Sequence, residues 1–209
     1  MKLSSLCSGI LVAATLASLS SCSSKDDIEG TWTGTPQKMA AAGSDGVTGP
    51  LVNSRVITTL TFTPESNDSI DGTVQFSSTV SAQDEINENN GVSLDVPYEV
   101  SVSAITTATG TYKFVDDDDI AIFLDDNSIE VSMDPEAVKF TSNVADGRQH
   151  PEIENLRTGQ FWRFKTDILS NMRQEYLRYH RLSDVKVKDN ILSVEIDDHD
   201  YSFRRAGEE

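Results

Sequence analysis

The side chains able to do chemistry in this 209-residue chain are few and scattered. Its histidines are His150, His180 and His199. None stands beside a Gly-x-Ser-x-Gly turn, within a His-Glu-x-x-His helix or next to paired cysteines, the spacings that nucleophilic or zinc catalysis requires. His199 lies in Asp197-Asp198-His199-Asp200, the one cluster of metal-ligand types. Four consecutive residues on a strand or tight turn point alternately to opposite faces, so a charged hairpin tip accounts for them better than an ion site. The acidic runs at 116–119 and Asp125-Asp126-Asn127 lack the alternating ligands, central glycine and closing glutamate of a calcium loop. They read as turns, with a weak surface calcium site as the other reading. Gly43 and Gly46 sit in a loop without the Lys-Ser or Lys-Thr of a phosphate cradle. The expectation is a protein that is not an enzyme and holds no cofactor or metal.

The remaining reactive residues are Cys7 and Cys22. Ahead of Cys22 come Lys2, an apolar stretch through Ile10, Leu11, Val12 and Leu16, and then Leu19-Ser20-Ser21-Cys22. The stretch is too short to span a bilayer. The motif resembles the bacterial lipobox, which implies cleavage before Cys22 and lipidation of its sulfur and new amino group with acyl chains such as palmitate. Two or three chains anchor stably where one does not. Ser23-Ser24-Lys25-Asp26-Asp27 is similar to the lysine-then-acidic tag that sends some Gram-negative lipoproteins to the outer face of the outer membrane; a plain hydrophilic tether is the other reading. The expected organisation is a signal peptide at 1–21, an acylated tether at 22–27 and one domain at 28–209, lipid-anchored in the outer membrane and exposed at the cell surface. Lys and Arg number 17 against 34 Asp and Glu, a net charge of −17 that loss of the leader, with Lys2, makes more negative. Such a field repels phosphate backbones, so nucleic acid is not an expected partner. With Cys7 discarded and Cys22 lipidated no disulfide remains, and stability must come from a packed core.

Hydrophobic period identifies that core as β. Val92, Leu94, Val96, Tyr98, Val100, Val102 and Ala104 alternate with Ser93, Asp95, Pro97, Glu99, Ser101 and Ser103, a long strand with one wet face. Pro97, lacking a donor, predicts an edge, bulge or bend. Shorter alternations carry Leu60 and Phe62, Val74 and Phe76, Tyr112 and Phe114, Ile120 to Leu124, Ile129 to Met133, and Val138 with Phe140. Asp and Asn turns divide them, including Asp189-Asn190. About ten short strands read as an antiparallel meander. A closed barrel removes unpaired edges; a two-sheet sandwich fits the pattern as well. One segment differs. Over 166–181, Ile168, Leu169, Met172, Tyr176, Leu177 and Tyr179 follow helical spacing, and Phe161, Trp162 and Phe164 before them fit either a strand or the first helical turns.

Gly30-Thr31-Trp32 resembles the Gly-x-Trp signature that opens the first strand of lipocalins. The resemblance implies a mainly β, antiparallel up-and-down barrel whose tryptophan plugs one end and stacks on an arginine near the end of the last strand. Tyr201, Phe203 and Arg205 share one side by period two, so Arg205 is the expected partner and Arg204 the reserve. The other motifs and disulfides of that family are missing, and the helix here precedes the final strands. The nearer likeness is to lipocalin-like, calycin-type domains of bacterial lipoproteins. A separate three-residue match, Asp68-Ser69-Ile70, resembles the acceptor for O-linked glycans on exported Gram-negative proteins, with Ser69 as the modified residue.

Two functions are open at this point. The barrel binds a small apolar molecule among Phe62, Phe76, Tyr98, Tyr112, Phe114 and Trp162, gated by a 37–54 loop and by the aromatic helix, whose other reading is a helix packed against the barrel wall or end. Alternatively its own side chains fill it, and the outer surface is an interaction module, an accessory subunit or inhibitor with an envelope or host protein as partner.

Overall fold

The computed structural model describes residues 27–39, 53–66, 69–89, 92–142 and 152–207. Cys22, Asp68, His150 and the 40–52 part of the expected gating loop lie outside them. Among the described residues the strands are β1 (Gly30–Gly34), β2 (Gln37–Lys38), β3 (Asn53–Pro64), β4 (Asp71–Asn89), β5 (Val92–Phe114), β6 (Ile120–Leu124), β7 (Glu130–Ser132), β8 (Lys139–Ser142), β9 (Arg181–Lys188), β10 (Ile191–Ile196) and β11 (His199–Arg205). Between β8 and β9 runs one α-helix, α1 (Glu152–Leu177).

Eight strands close a ring. β1 pairs with β3, and the ladder continues through β4, β5, β6, β9, β10 and β11 back to β1, every pair antiparallel. Neighbours in space are neighbours in the chain once β2, β7, β8 and α1 are set aside, so the barrel is up-and-down. Closure rules out the sandwich arrangement.

Alternation writes itself into layers of inward side chains. Trp32, Leu60, Phe76 and Ala108 form one cross-strand row, all buried. Enclosing a leucine or phenylalanine fully contributes roughly 1.5–3 kcal/mol each, and this row lies deep in the core. The hairpin tips follow from local chemistry. Asp189 and Asn190, and again Asp197 and Asp198, hold positive φ at both central positions of two-residue turns, the backbone that matches strand twist. The Asp197-Asp198-His199-Asp200 cluster is therefore built around a hairpin tip.

Two elements depart from the sequence expectation. The 92–104 strand and the Tyr112–Phe114 strand are one 23-residue strand, β5. Its inward positions between them are Thr106, Ala108 and Gly110, too small or polar to mark a hydrophobic period. Pro97 lies where the β4–β5 register shifts, between the Ile86–Tyr98 and Glu88–Ser93 pairs. The β4–β5 hairpin overruns the barrel, and the side of β5 not covered by β6 is taken by β7 at Ile105–Thr107 and by β8 at Tyr98–Ser101. The helix also starts earlier than expected, at Glu152 rather than near Thr166, and its α-helical part ends at Leu177. Phe161, Trp162 and Phe164 are therefore helical. Leu156, Phe161, Phe164, Ile168 and Met172 form its buried face, at spacings a helix brings to one side.

Candidate functional site

The interior is the natural place to look for a ligand, and its aromatics are already partnered. Phe62, Phe76, Tyr98, Tyr112 and Phe114 are at most 4% exposed. Phe62 meets the edge of Tyr112 at 5.2 Å between centroids, Tyr112 meets Phe114 at 6.3 Å, and Tyr98 meets Phe140 at 6.2 Å. Phe76 carries Tyr176 at 5.1 Å and Tyr179 at 5.6 Å, both from the C-terminal end of the helical segment. Trp162 does not join them. It is 60% exposed on α1, against Phe161 at 5.1 Å and with the Lys165 ammonium 5.7 Å from its ring.

Tyr176 and Tyr179 enter the barrel because a polar row awaits them. Thr58, Ser78 and Thr106 stand side by side on β3, β4 and β5, inward-facing and buried. Thr58 and Ser78 hydroxyls lie 3.0 Å apart. The Tyr176 hydroxyl donates to Ser78 Oγ or the Thr106 carbonyl, each at 3.1 Å, and lies 2.7 Å from Thr106 Oγ1. Tyr179 bonds Thr58. Above this row the inward residues are small, Val56, Val80 and Ala104, then Ser54, Ala82 and Val102, and α1 lies against β5 and β7. Buried hydroxyls of this kind need partners, and here each side supplies the other's. Burial raises the phenol of Tyr176, although its bonds to Ser78 and Thr106 pull the other way. Tyr179 is raised by burial and by the Glu175 carboxylate. Tyr112 is pushed up to about 12 by burial, with Glu29 and Asp71 adding to it.

The end of α1 is tied down by charge. Arg178 donates to Asp197 at 3.0 Å and to the Tyr201 hydroxyl at 2.7 Å, and it contacts both oxygens of buried Glu175 at 3.3 Å. Burial works against its charge, but Asp197, Glu175 and Tyr201 outweigh it and hold the guanidinium firmly protonated. Farther along α1, Arg163 bridges to Asp84 of β4 at 2.7 Å.

Between the first and last strands of the barrel, Arg205 covers Trp32. The two residues are register partners on β11 and β1, and the guanidinium carbon stands 4.2 Å from the ring centroid. The indole N–H donates to the Ile28 carbonyl at 2.8 Å. Arg205 donates to the carbonyls of Glu29 and Asp27, each at 2.7 Å. Gly30 is required beneath it: its φ is +118°, and a β-carbon there would stand 2.8 Å from Arg205 Nη1. Arg204 faces solvent.

The other candidates are turn residues. Ser69 donates to Asp71 Oδ1 at 2.5 Å. Nδ1 of His199 lies 2.6 Å from the Asp197 carbonyl, and that of His180 lies 3.1 Å from the Leu177 carbonyl. Among the described residues no group of three His, Cys, Asp or Glu side chains is placed to hold a metal ion. The polar row of Thr58, Ser78 and Thr106 was not anticipated, though its signal was present as hydroxyl residues on the inward phase of three strands.

These features define a closed, eight-stranded, antiparallel barrel of calycin-like form, with an arginine of the last strand covering a tryptophan of the first and helix tyrosines hydrogen-bonded inside it. No protein-family model, no curated protein and no solved structure matches the chain.

Proposed function

We propose that this chain is a lipid-anchored cell-envelope protein whose barrel is filled by its own side chains, and which acts through its outer surface as a non-enzymatic interaction module. The observation that carries this reading is Tyr176, seated in the barrel with its hydroxyl on Ser78 and Thr106. A ligand in the same space would have to displace that ring, break its bonds to Ser78 and Thr106, and leave the buried Thr106 hydroxyl without its phenol partner, at a cost of about 1–3 kcal/mol for a buried group left unsatisfied. The Gly30-x-Trp32 opening and its Arg205 partner support kinship with lipocalin-like domains. In this reading they serve stability and carry no ligand with them.

The small-molecule reading keeps one support: eight strands make a barrel wide enough for one small ligand. Native mass spectrometry of the full chain, purified from its own host in mild detergent, separates the two. A protein mass accounted for by polypeptide and acyl chains is expected. A stoichiometric non-covalent adduct in repeated preparations would replace the proposal with the binder. The anchor has its own test. Cys22→Ala should move the protein from the membrane fraction to the soluble extract, and unchanged membrane retention would reject lipidation at Cys22.

A further inference from the structure

The outer wall carries a local reversal of the molecule's charge. Lys38 on β2 stands directly opposite Arg55 on β3, and both are exposed. Like charges facing each other across a ladder are destabilising. Among the described residues neither cation is paired with a carboxylate, whereas Arg157, Arg163, Arg178 and Arg181 each hold one. The pair opens into a groove of about 610 Å³ on the β2–β5 face, lined also by Asn53, Ser81, Gln83 and Ser101 and, between these two rows, by Ser54, Ala82 and Val102; none of the described residues lining it is acidic.

Strand register gives the groove a direction. Ser81 follows Arg55 across the sheet, and Asn53, Gln83 and Ser101 make the next row, which ends at Lys139 of β8. One row further from the Lys38–Arg55 pair, Glu85 and Glu99 face each other. An anionic group is thus drawn to one end and repelled from the other. Between the ends are amides and hydroxyls that both donate and accept, the complement of a polyhydroxyl body. The groove has the size of a small-molecule site, and an arginine beside a lysine offers a planar fork and a point charge to a carboxylate or phosphate.

We infer that this groove binds a sugar carrying one anionic group, a sugar carboxylate or sugar phosphate, with the anion on Lys38 and Arg55 and the hydroxyls on Asn53, Gln83, Ser81 and Ser101. The inference does not depend on what fills the barrel or on the anchor.

The test is calorimetric titration of the full chain with glucuronate, glucose 6-phosphate, glucose and inorganic phosphate. Binding at one-to-one stoichiometry is expected for at least one of the two sugar anions, about tenfold or more tighter than for glucose or phosphate, and which anion binds identifies the head group. Lys38→Ala and Arg55→Ala should each weaken it about tenfold, and Gln83→Ala should weaken it while leaving phosphate binding unchanged. Without ligand, both cation variants should melt no lower than the parent, since each removes a repulsion. Failure of both sugar anions to bind, equal binding of glucose, or parent-like binding by the Lys38→Ala/Arg55→Ala double variant would overturn the inference.

Discussion

Arg205 performs two tasks with one guanidinium, capping an indole with its face and gripping two backbone carbonyls of the entering chain with its edge. Removing it uncovers Trp32 and leaves those carbonyls without their donor. Trp32→Ala should lower unfolding free energy by about 3–5 kcal/mol, the range for deleting a large buried aromatic, as measured by denaturant titration. Arg205→Ala should also destabilise clearly, while Arg204→Ala should change stability by less than about 0.5 kcal/mol, as exposed substitutions usually do. A parent-like Trp32→Ala variant would remove the structural role assigned to the cap. Both partners were legible in the sequence because period two puts Arg205 in phase with buried Phe203 and Arg204 out of it. Gly30's dependence on Arg205 was not legible, since it arises from a contact between opposite ends of the chain.

The helix is held by polar bonds as well as by its apolar face, and this makes its attachment testable. Tyr176→Phe keeps the ring on Phe76 but removes the hydroxyl shared by Ser78 and Thr106. The expected cost is about 1–3 kcal/mol, the penalty for buried groups that lose a partner. Loss of protection from amide hydrogen exchange should spread from α1 before it reaches β3 and β4. Unchanged stability would mean that the apolar face alone seats the helix. Only the second half of α1 was readable from sequence. Gly159 interrupts the first half, and Phe161-Trp162-Arg163-Phe164 sets Trp162 and Phe164 two apart, so a strand period competes there with the helical one. Similarly, β5 was split in the reading because Thr106, Ala108 and Gly110 carry its inward phase. The first of these is polar because a helix tyrosine bonds to it, a reason that exists only in three dimensions.

At the scale of the molecule, buried phenols set an alkaline limit. Tyr112 is raised to about 12 from 10.0, and Tyr176 and Tyr179 are raised as well. Each group binds its proton more tightly when folded, so its contribution is fully present below the unfolded value and is lost as pH rises from 10 toward the folded value. Thermal stability should therefore decline steeply above pH 10, and tyrosinate absorbance should rise in step with unfolding. Full ionisation of Tyr112, Tyr176 and Tyr179 near pH 10 in the folded protein would contradict their burial. The antiparallel meander was legible in alternation and turn residues, whereas closure was not, because it depends on β1 pairing with both β3 and β11, a long-range match that no local pattern encodes. That double pairing has a mechanical consequence. A force delivered along the chain from upstream of Ile28 enters β1 lengthwise and must slide it past two ladders at once, with the Arg205 grip on residues 27 and 29 in series, so the molecule resists being pulled by its leading end far better than being peeled from the β4–β5 hairpin.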